Sequence, residues 1–302
     1  MGLLSKLSII IPTFYPGKII IKCLKSLPKE SEIIIVDNGN DLELEKIIKS
    51  LKFKIKHYKI GDVGLPKSFN YGVKKSKNEN ILITQPDVQF EKKSILNLLL
   101  VQKNYPKAGI VSPLLFEKKK YSIYDHLDLK LDKYGKLIDK KNKNKDNKIP
   151  SGDICVEAVN ATAMLLKKKI IKKIKGWDEN IYTYHEDIDL CLRLRIKNFQ
   201  IIKTPQSIAH HVGFGSHTKK NKAKVDKSRN WHYCWTSLYF KQKHGSKIEF
   251  IIFFFKNIAK YFLKTLINSL IFQRKKTVLN FMRLRACINY LFIKKSSFRV
   301  EI

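Results

Sequence analysis

The sequence predicts an α/β protein built on a doubly wound, mostly parallel sheet, with a C-terminal helical extension. Short apolar runs alternate with helix-like segments through the first third of the chain, which is the pattern of strands buried between helices. Polar residues follow several of these runs, at the point where each strand ends. From about residue 218 the pattern changes to helices with aromatic and basic residues, so we expect two regions, 1–217 and 218–302.

The elements of the first region follow from runs of apolar and β-branched residues. We predict strands at residues 7–11, 32–36, 53–59 and 81–84, and helices at 19–27, 42–51 and 66–75. Residues 156–166 form a further buried segment, 181–196 contain a helix with an acidic start, and 201–211 lead from a strand into a His-rich loop. The basic stretch 118–148 is predicted to hold a short hairpin around Tyr134-Gly135 and a mobile Lys/Asn segment at 140–148.

Three polar residues follow predicted strands and should share one rim of the sheet. Thr13 follows the first strand, Asp37 the second and Asp87 the fourth. In open α/β sheets, ligands bind outside the carboxyl ends of the strands. Asp37 alone is typical of a turn and Asp87 alone of a bend, but the three together favour a ligand site.

An acidic cluster opens the helix predicted near residue 186. Glu186, Asp187 and Asp189 lie in its first turn, where the helix dipole favours negative charge. A well-capped helix is the simpler interpretation, yet three carboxylates in four residues exceed what capping needs. One of them is therefore a candidate general base.

Two adjacent histidines, His210 and His211, form another candidate site. They cannot share one helix face, so they do not form a helical zinc site. A loop imidazole near Asp87 could complete a Mg²⁺ or Mn²⁺ site made mainly of oxygen ligands, and a structural histidine is equally consistent.

The composition is strongly basic. The 302 residues carry 60 Lys and Arg against 26 Asp and Glu, a net charge of +34, and 53 of the basic residues are lysines. Such an excess favours attraction to an anionic surface such as acidic lipid, although a solvated exterior is an equal alternative. Nucleic-acid binding is a competing hypothesis, but no helix-turn-helix, zinc or RNA-binding motif supports it.

The cysteines and the N-terminus indicate the compartment. Five widely spaced cysteines without a Cys-x-x-Cys pair argue against a disulfide scaffold and for a reducing environment. The apolar start of the chain is too short and too soon interrupted by Pro12 for a secretory signal. We therefore expect a cytoplasmic protein.

Residues 248–272 are apolar but interrupted by charge. Lys256, Lys260 and Lys264 lie four apart, and the uncharged stretches are far shorter than the roughly 20 residues of a spanning helix. A lysine stripe opposite an apolar face is typical of a helix that lies in the membrane interface. The alternative is a helical hairpin that packs on the first region and exposes its lysines to water.

The order of motifs between about residues 7 and 217 resembles family 2 glycosyltransferases, in particular the rhamnosyltransferase-like branch that builds surface polysaccharides. The matching motifs are residues 8–13 (SIIIPT), 35–38 (IVDN), 64–72 (GxxxSxNxG), 85–88 (QPDV), 176–179 (GWDE), 186–190 (EDIDL) and 210–213 (HxxG). The resemblance implies a GT-A fold, a nucleoside-diphosphate sugar donor, a divalent cation, inversion at the anomeric carbon and a glycan or glycolipid acceptor. It argues against a nucleic-acid partner, and it leaves a non-catalytic sugar-binding protein as an alternative.

The resemblance also implies roles for individual residues. Asp187 would be the catalytic base, and Asp87 with His210 or His211 would contact the metal. The donor would be bound by Pro12, Thr13, Asp37, Asn38, Lys67 and Asn70, with Asp37 on the base, and the acceptor by Trp177, Asp178 and Glu186. The chain departs from the family pattern at Gln85, where the first acid of a fuller Asp-x-Asp motif could stand, and at residues 160–163, where a Gly-rich segment is common.

Overall fold

The computed structural model describes residues 2–51, 53–117, 120–121, 130–131, 137–138, 149–212, 222–293, 295–296 and 298–299. The chain divides into two compact units. The first unit comprises residues 1–129, 140–178 and 187–216, and the second comprises 130–139, 179–186 and 217–302. The division near residue 217 lies where the sequence pattern changes, but the two short segments 130–139 and 179–186 group with the second unit, which the sequence did not predict.

The first half of the sheet is parallel, as predicted. Its strands are β1 (Leu7–Thr13), β2 (Glu32–Asp37), β3 (Ile55–Lys59) and β4 (Asn80–Thr84), connected by helices α1 (Ile19–Ser26), α2 (Leu42–Ser50) and α3 (Leu65–Lys75). β1 lies between β2 and β4, and β3 borders β2, with all three pairs parallel. The prediction that the first, second and fourth strands are parallel neighbours is confirmed.

The second half of the sheet mixes directions. Its strands are β5 (Val88–Phe90), β6 (Ala108–Glu117), β7 (Lys120–Tyr121), β10 (Ile154–Cys155), β11 (Ala163–Lys167) and β12 (Gln200–His211). The helices of this part of the chain are α4 (Ser94–Asn104), α5 (Lys168–Lys173) and α6 (Glu186–Ile196). β11 is antiparallel to both β4 and β6, whereas β12 is parallel to β6. The strand order is β10-β12-β6-β11-β4-β1-β2-β3, with β5 on β12 and β7 on β6.

The sheet is buried on both faces, which explains the continuous apolar runs. Side chains alternate along β1, so Ile9 and Ile11 enter one apolar cluster while Ile10 enters the other. Helices α1, α2 and α4 cover the first face, and α3, α5 and α6 cover the second. The close approach of α3 to β1 requires a glycine, because a Cβ on Gly72 would clash with Ile10 Cγ2.

The second unit is mainly helical. Its long helices are α7 (Lys222–His244), α8 (Lys247–Leu270) and α9 (Arg274–Tyr290), and they enclose a core that includes Trp231, Trp235, Phe254 and Tyr261. A capping box of Ser246 and Glu249 begins α8. Among the described helices, none is long and apolar enough to span a bilayer.

The predicted lysine stripe of α8 is placed differently from our expectation. We expected the lysines opposite a single apolar face. Instead, α8 has one apolar face packed in the core and another exposed, and Lys256, Lys260 and Lys264 are exposed between the two.

The two short segments of the second unit, 130–139 and 179–186, each have a defined local structure in their described residues. Strands β8 (Lys130–Leu131) and β9 (Leu137–Ile138) pair antiparallel, as a hairpin around Tyr134-Gly135 requires, although that turn and residues 140–148 lie outside the described residues. In segment 179–186, the Tyr182 ring stacks on His232 at 4.3 Å between centroids. Tyr184 and His185 both have positive φ angles, 68° and 63°.

Candidate active site

The predicted rim of the sheet exists. Thr13 and Asp37 are direct partners at the carboxyl ends of β1 and β2. Asp87 follows β4, the other neighbour of β1. The ends of these three strands therefore place the three polar residues at one edge of the first unit.

The carboxylate of Asp37 organises the loop that follows β2. It accepts hydrogen bonds from the backbone N–H groups of Gly39 (2.9 Å) and Asp41 (2.8 Å), and His57 Nε2 lies 3.3 Å from Oδ2. Burial alone would raise the pKa of this carboxyl, but the bonds from His57 and the two backbone groups outweigh it and hold the pKa below its usual value. The side chain has no solvent exposure, so Asp37 shapes the loop from beneath.

Thr13 presents a buried hydroxyl at the same edge. Its backbone oxygen accepts from Asn38, through both the main-chain N–H (2.8 Å) and the side-chain amide (3.2 Å). Asn38 in turn accepts from the Ser68 hydroxyl in the first turns of α3. Within the described residues the Thr13 hydroxyl has no hydrogen-bond partner, although the residue is only 2% exposed. Such an orphaned group is what a ligand contact would satisfy.

The other predicted donor residues have different surroundings. Pro12 is buried within β1, and Lys67 is exposed on the first turn of α3. The Asn70 amide donates to Trp177 O and accepts from Trp177 N, both at 2.9 Å. Asn70 therefore anchors the turn at Gly176, whose φ angle is 67°.

The two histidines at the end of β12 point to opposite sides, as neighbours in a strand must. His211 Nε2 lies 3.4 Å from Asp87 Oδ2, and His211 Nδ1 lies 3.1 Å from Glu117 Oε1. His210 instead pairs with Glu91, on the exposed side. Burial alone would lower the pKa of His211, but its bonds to Asp87 and Glu117 outweigh it and raise the pKa. Of the two histidines, His211 is thus the one beside the candidate metal ligand.

No group of three His, Cys, Asp or Glu side chains is arranged to hold a metal ion by itself in the part of the chain described. A cation at Asp87 and His211 would therefore need ligands from elsewhere. Mg²⁺ is commonly bound in this way, by one or two carboxylates together with substrate phosphates and water. The Asp87–His211 pair fits a cation that arrives with a diphosphate.

The acidic cluster at the start of α6 contains one accessible carboxylate beside the sheet. Asp189 is fully buried and bonds Arg193 Nε at 2.7 Å, and Glu186 is also buried. Asp187 is half-buried, and it accepts from Ala161 N (3.2 Å) and from Ile188 N (2.8 Å). Ala161 lies two residues before Ala163, which pairs with Thr84 at the end of β4. Asp187 is therefore tied to the same edge of the sheet as Asp87.

The acceptor residues predicted at the Gly176 turn differ in accessibility. Trp177 is 1% exposed and packs on Phe69 with ring centroids 5.0 Å apart, so its side chain belongs to the core. Asp178, the next residue, is half-buried. The aromatic side chain is therefore a support of this turn, where the sequence had predicted an acceptor contact.

The family is decided by comparison with known proteins. A model of the family described as Glycosyl transferase family 2 matches residues 8–166, which is more than half of the chain. The chain belongs to glycosyl transferase family 2. It is similar to the rhamnosyltransferase WbbL of Escherichia coli (strain K12), with 23% identity over 252 residues that cover 70% of this chain and 92% of that protein.

Two solved structures share the fold of this family 2 chain. One is GalNAc-T7 with UDP, GalNAc and Mn²⁺, with a TM-score of 0.55 and 14% identity over 83% of this chain; the match spans 56% of that longer protein. The other is the mannosyltransferase PcManGT from Pyrobaculum calidifontis in complex with GDP-Man and Mn²⁺, with a TM-score of 0.53, 12% identity, and coverage of 95% of this chain and 87% of that one. The fold is GT-A, as the motifs implied, with additional C-terminal helices.

Sequence reasoning missed two residues that contact members of the candidate site. Glu117 ends β6 and contacts His211, and His57 in β3 contacts Asp37. The apolar run of β6 was a detectable strand signal, and Glu117 is the first acid after it. No sequence feature marks His57, because its contact depends on the pairing of β3 with β2.

Proposed function

We propose that the protein is an inverting glycosyltransferase that moves a sugar from a nucleoside-diphosphate donor to a hydroxyl of a glycan acceptor. The observation that carries the proposal is the attachment of the Asp187 carboxylate to the backbone of Ala161, at the edge where β4 ends before Asp87. A proton acceptor and a cation-binding carboxylate then serve one reaction from the same edge of the first unit.

Asp187 would act as the general base. It would take the proton of the acceptor hydroxyl while that oxygen attacks the anomeric carbon, and the bond from that carbon to the diphosphate breaks with the electron pair leaving on the diphosphate. Two backbone N–H donors hold the carboxylate in place at the start of α6. A positioned base of this kind contributes about 10²–10⁴-fold to the rate. A single displacement of this type inverts the anomeric carbon and needs no covalent intermediate.

The donor would lie along the ends of β1, β2 and β4. The buried hydroxyl of Thr13 would form a hydrogen bond to the nucleotide. Asp37 and Asn38 would hold the loop that binds the base in place through their hydrogen bonds. Lys67 is exposed and positively charged, which suits an anionic donor. Asp87 and His211 would hold Mg²⁺ or Mn²⁺, which as a Lewis acid would neutralise charge on the leaving diphosphate. Gln85 would not supply the second carboxylate of a fuller acidic motif.

The acceptor is proposed to be lipid-linked and to belong to surface polysaccharide assembly. The support for such an acceptor is the resemblance of the sequence motifs to the branch that builds surface polysaccharides. The similarity to the rhamnosyltransferase WbbL favours a hexosyltransferase of the rhamnosyltransferase-like type. Asp178 would be close to the acceptor, and Trp177 would support its turn from the core. We place the reaction on the cytoplasmic face of the cell membrane, where the basic C-terminal helices would meet anionic lipid.

Thermal stabilisation by a panel of nucleotide sugars, with and without Mn²⁺, would identify the donor.

Asp187→Asn keeps the shape of the side chain and removes its basicity. Donor binding by calorimetry should survive in this variant, whereas transfer with excess acceptor should fall by about 10²-fold or more.

Glu43→Gln is the matched control, because it makes the same chemical change at an exposed position on α2 and should leave transfer unchanged. Transfer by a folded Asp187→Asn variant at the wild-type rate would show that Asp187 is not the base. Absence of transfer from every donor that stabilises the wild-type protein would instead favour a non-catalytic sugar-binding protein.

A further inference from the structure

Helix α8 has two apolar faces, and the core of the second unit uses only one. Phe254 and Tyr261 are buried in that core. Nine exposed apolar side chains recur at intervals of one, three, four or seven residues on the opposite side: Ile248, Ile251, Ile252, Phe255, Phe262, Leu263, Leu266, Ile267 and Leu270. At 3.6 residues per turn these positions form one continuous stripe, which we call the outer face.

Basic residues border the outer face along one edge and at one end. Lys256, Lys260 and Lys264 are exposed beside it. The stripe continues through Ile271 to Phe272, which is 87% exposed in the turn before α9. Arg274 and Lys275 follow at once. Together with Lys227, Asp226 and three apolar residues they line an open groove of about 490 Å³.

We propose that the outer face is a docking surface for an anionic lipid bilayer, with α8 lying in the plane of the interface. This inference rests on the proposed function for its membrane location and adds the residues that make contact. The apolar side chains would enter the acyl boundary, and the lysines would extend their ammonium groups to lipid phosphates. An exposed apolar face along a 24-residue helix, about 36 Å long, is unusual for a protein surface that stays in water.

Charge favours lipid over a second copy of the chain as the occupant. The outer face has lysines at its edge, and the protein carries a net charge of +34. Two copies would bring like charges together, whereas acidic headgroups would neutralise them. Along α8 the one acidic residue is Glu249, which is held in the capping box at the start of the helix.

The experiment compares vesicle binding of the full-length protein with that of two triple variants. Ile252→Ser/Phe255→Ser/Phe262→Ser removes apolar area from the outer face. Leu42→Ser/Leu100→Ser/Ile196→Ser is the matched control, since these three apolar side chains are exposed in the first unit. On phosphatidylcholine vesicles containing phosphatidylglycerol, the outer-face variant should bind at least about tenfold more weakly, because several apolar side chains no longer leave water. The control variant should bind like wild type.

A third variant tests the charged edge. Lys256→Ser/Lys260→Ser/Lys264→Ser should lose about a hundredfold on vesicles with phosphatidylglycerol, at roughly one decade or less per lysine, and little on phosphatidylcholine alone. All these positions are exposed, so circular dichroism and melting temperature should match those of wild type.

Equal vesicle binding by the outer-face variant and wild type would overturn the inference. So would an outer-face variant that turns a wild-type dimer into a monomer without losing vesicle binding, because the face would then bind a second copy. Transfer to a soluble acceptor reports on the active site separately. If the wild-type protein binds vesicles but transfers no sugar to a soluble acceptor, the proposed function alone is contradicted.

Discussion

At the scale of single residues, Asp37 shows how one buried carboxylate can set the shape of the loop that follows its strand. Asp37→Asn should lower the free energy of unfolding by about 2 kcal/mol, because hydrogen bonds to a charged acceptor are replaced by weaker ones. The lowered pKa means that the charged form stabilises the fold above the unfolded value of about 3.9. The difference between wild type and variant should therefore disappear as the pH falls through the folded pKa.

Urea unfolding at pH 7 and at successively lower pH would measure this difference. Asp41→Asn is the control, since Asp41 caps α2 through the Glu43 N–H and asparagine caps a helix equally well. A pH-independent loss of stability in Asp37→Asn would mean that packing, and not charge, is responsible.

The two histidines give a second prediction at this scale. His211→Asn and Asp87→Asn should both weaken Mn²⁺-dependent donor binding, by about tenfold or more, because each removes a candidate ligand. His210→Asn should leave donor binding unchanged, since that ring pairs with Glu91 on the exposed side. Calorimetry with and without Mn²⁺ distinguishes the three variants, and equal effects at His210 and His211 would refute the assignment.

The sequence was enough to select Asp87 and the two histidines as candidates, but it did not predict their partners. Asp87 follows a recognisable strand, and two histidines lie in a second apolar segment, so both could be selected. The orientation of His211 depends on the pairing of β12 with β5 and β6, which joins residues about 100 positions apart and leaves no local signal. The burial of Trp177 was not predictable for a related reason: a buried tryptophan and a ligand-binding one have the same sequence context.

At the scale of elements, the close contact of α3 with β1 gives a test of packing between helix and sheet. Gly72→Ala should destabilise the protein by about 1–2 kcal/mol, because a clash with Ile10 outweighs the gain in helix propensity. Gly152→Ala should have little effect, since a Cβ there meets nothing within 4 Å. Thermal unfolding measures both, and a Gly72→Ala variant more stable than wild type would show that α3 can move away from the sheet.

The elements themselves were predictable where the periodicity was simple. The boundaries of the first four strands and the helices between them lie within about two residues of the prediction, because apolar strands and amphipathic helices have distinct repeats. The direction of β11 was not predictable, since an antiparallel strand buried on both faces has the same composition as a parallel one.

At the scale of the whole molecule, the net charge of +34 predicts salt-sensitive association. Vesicle binding by the wild-type protein should fall about tenfold between 0.1 M and 0.5 M salt, because the lysines are screened. Weaker binding should remain at high salt, because the apolar outer face does not depend on charge. Non-specific binding to DNA should vanish over the same range, because it depends on phosphate contacts alone. Co-sedimentation and gel-shift titrations measure the two, and complete release from vesicles at high salt would contradict apolar insertion.

The division into units was only partly predictable. The change of pattern near residue 217 is visible in composition, but segment 179–186 belongs to the second unit through ring contacts such as Tyr182 with His232.

Truncation near residue 245 is a poor test of the C-terminal helices, because it would remove α8 and α9, which share a core with Trp231 and Trp235. Point substitutions on exposed positions avoid this disruption.

The two faces of α8 should differ in how freely they accept new residues during evolution. On the inner side, Phe254 and Tyr261 pack in the closely packed core of the second unit. A change of side-chain shape there should lower stability even when hydrophobicity is kept. A fluid acyl layer has no shape to match, so Ile, Leu, Phe and Met should be interchangeable along the outer face while polar residues are not. Selection on α8 should therefore preserve the identity of the residues on the inner side, but only their hydrophobicity on the outer face.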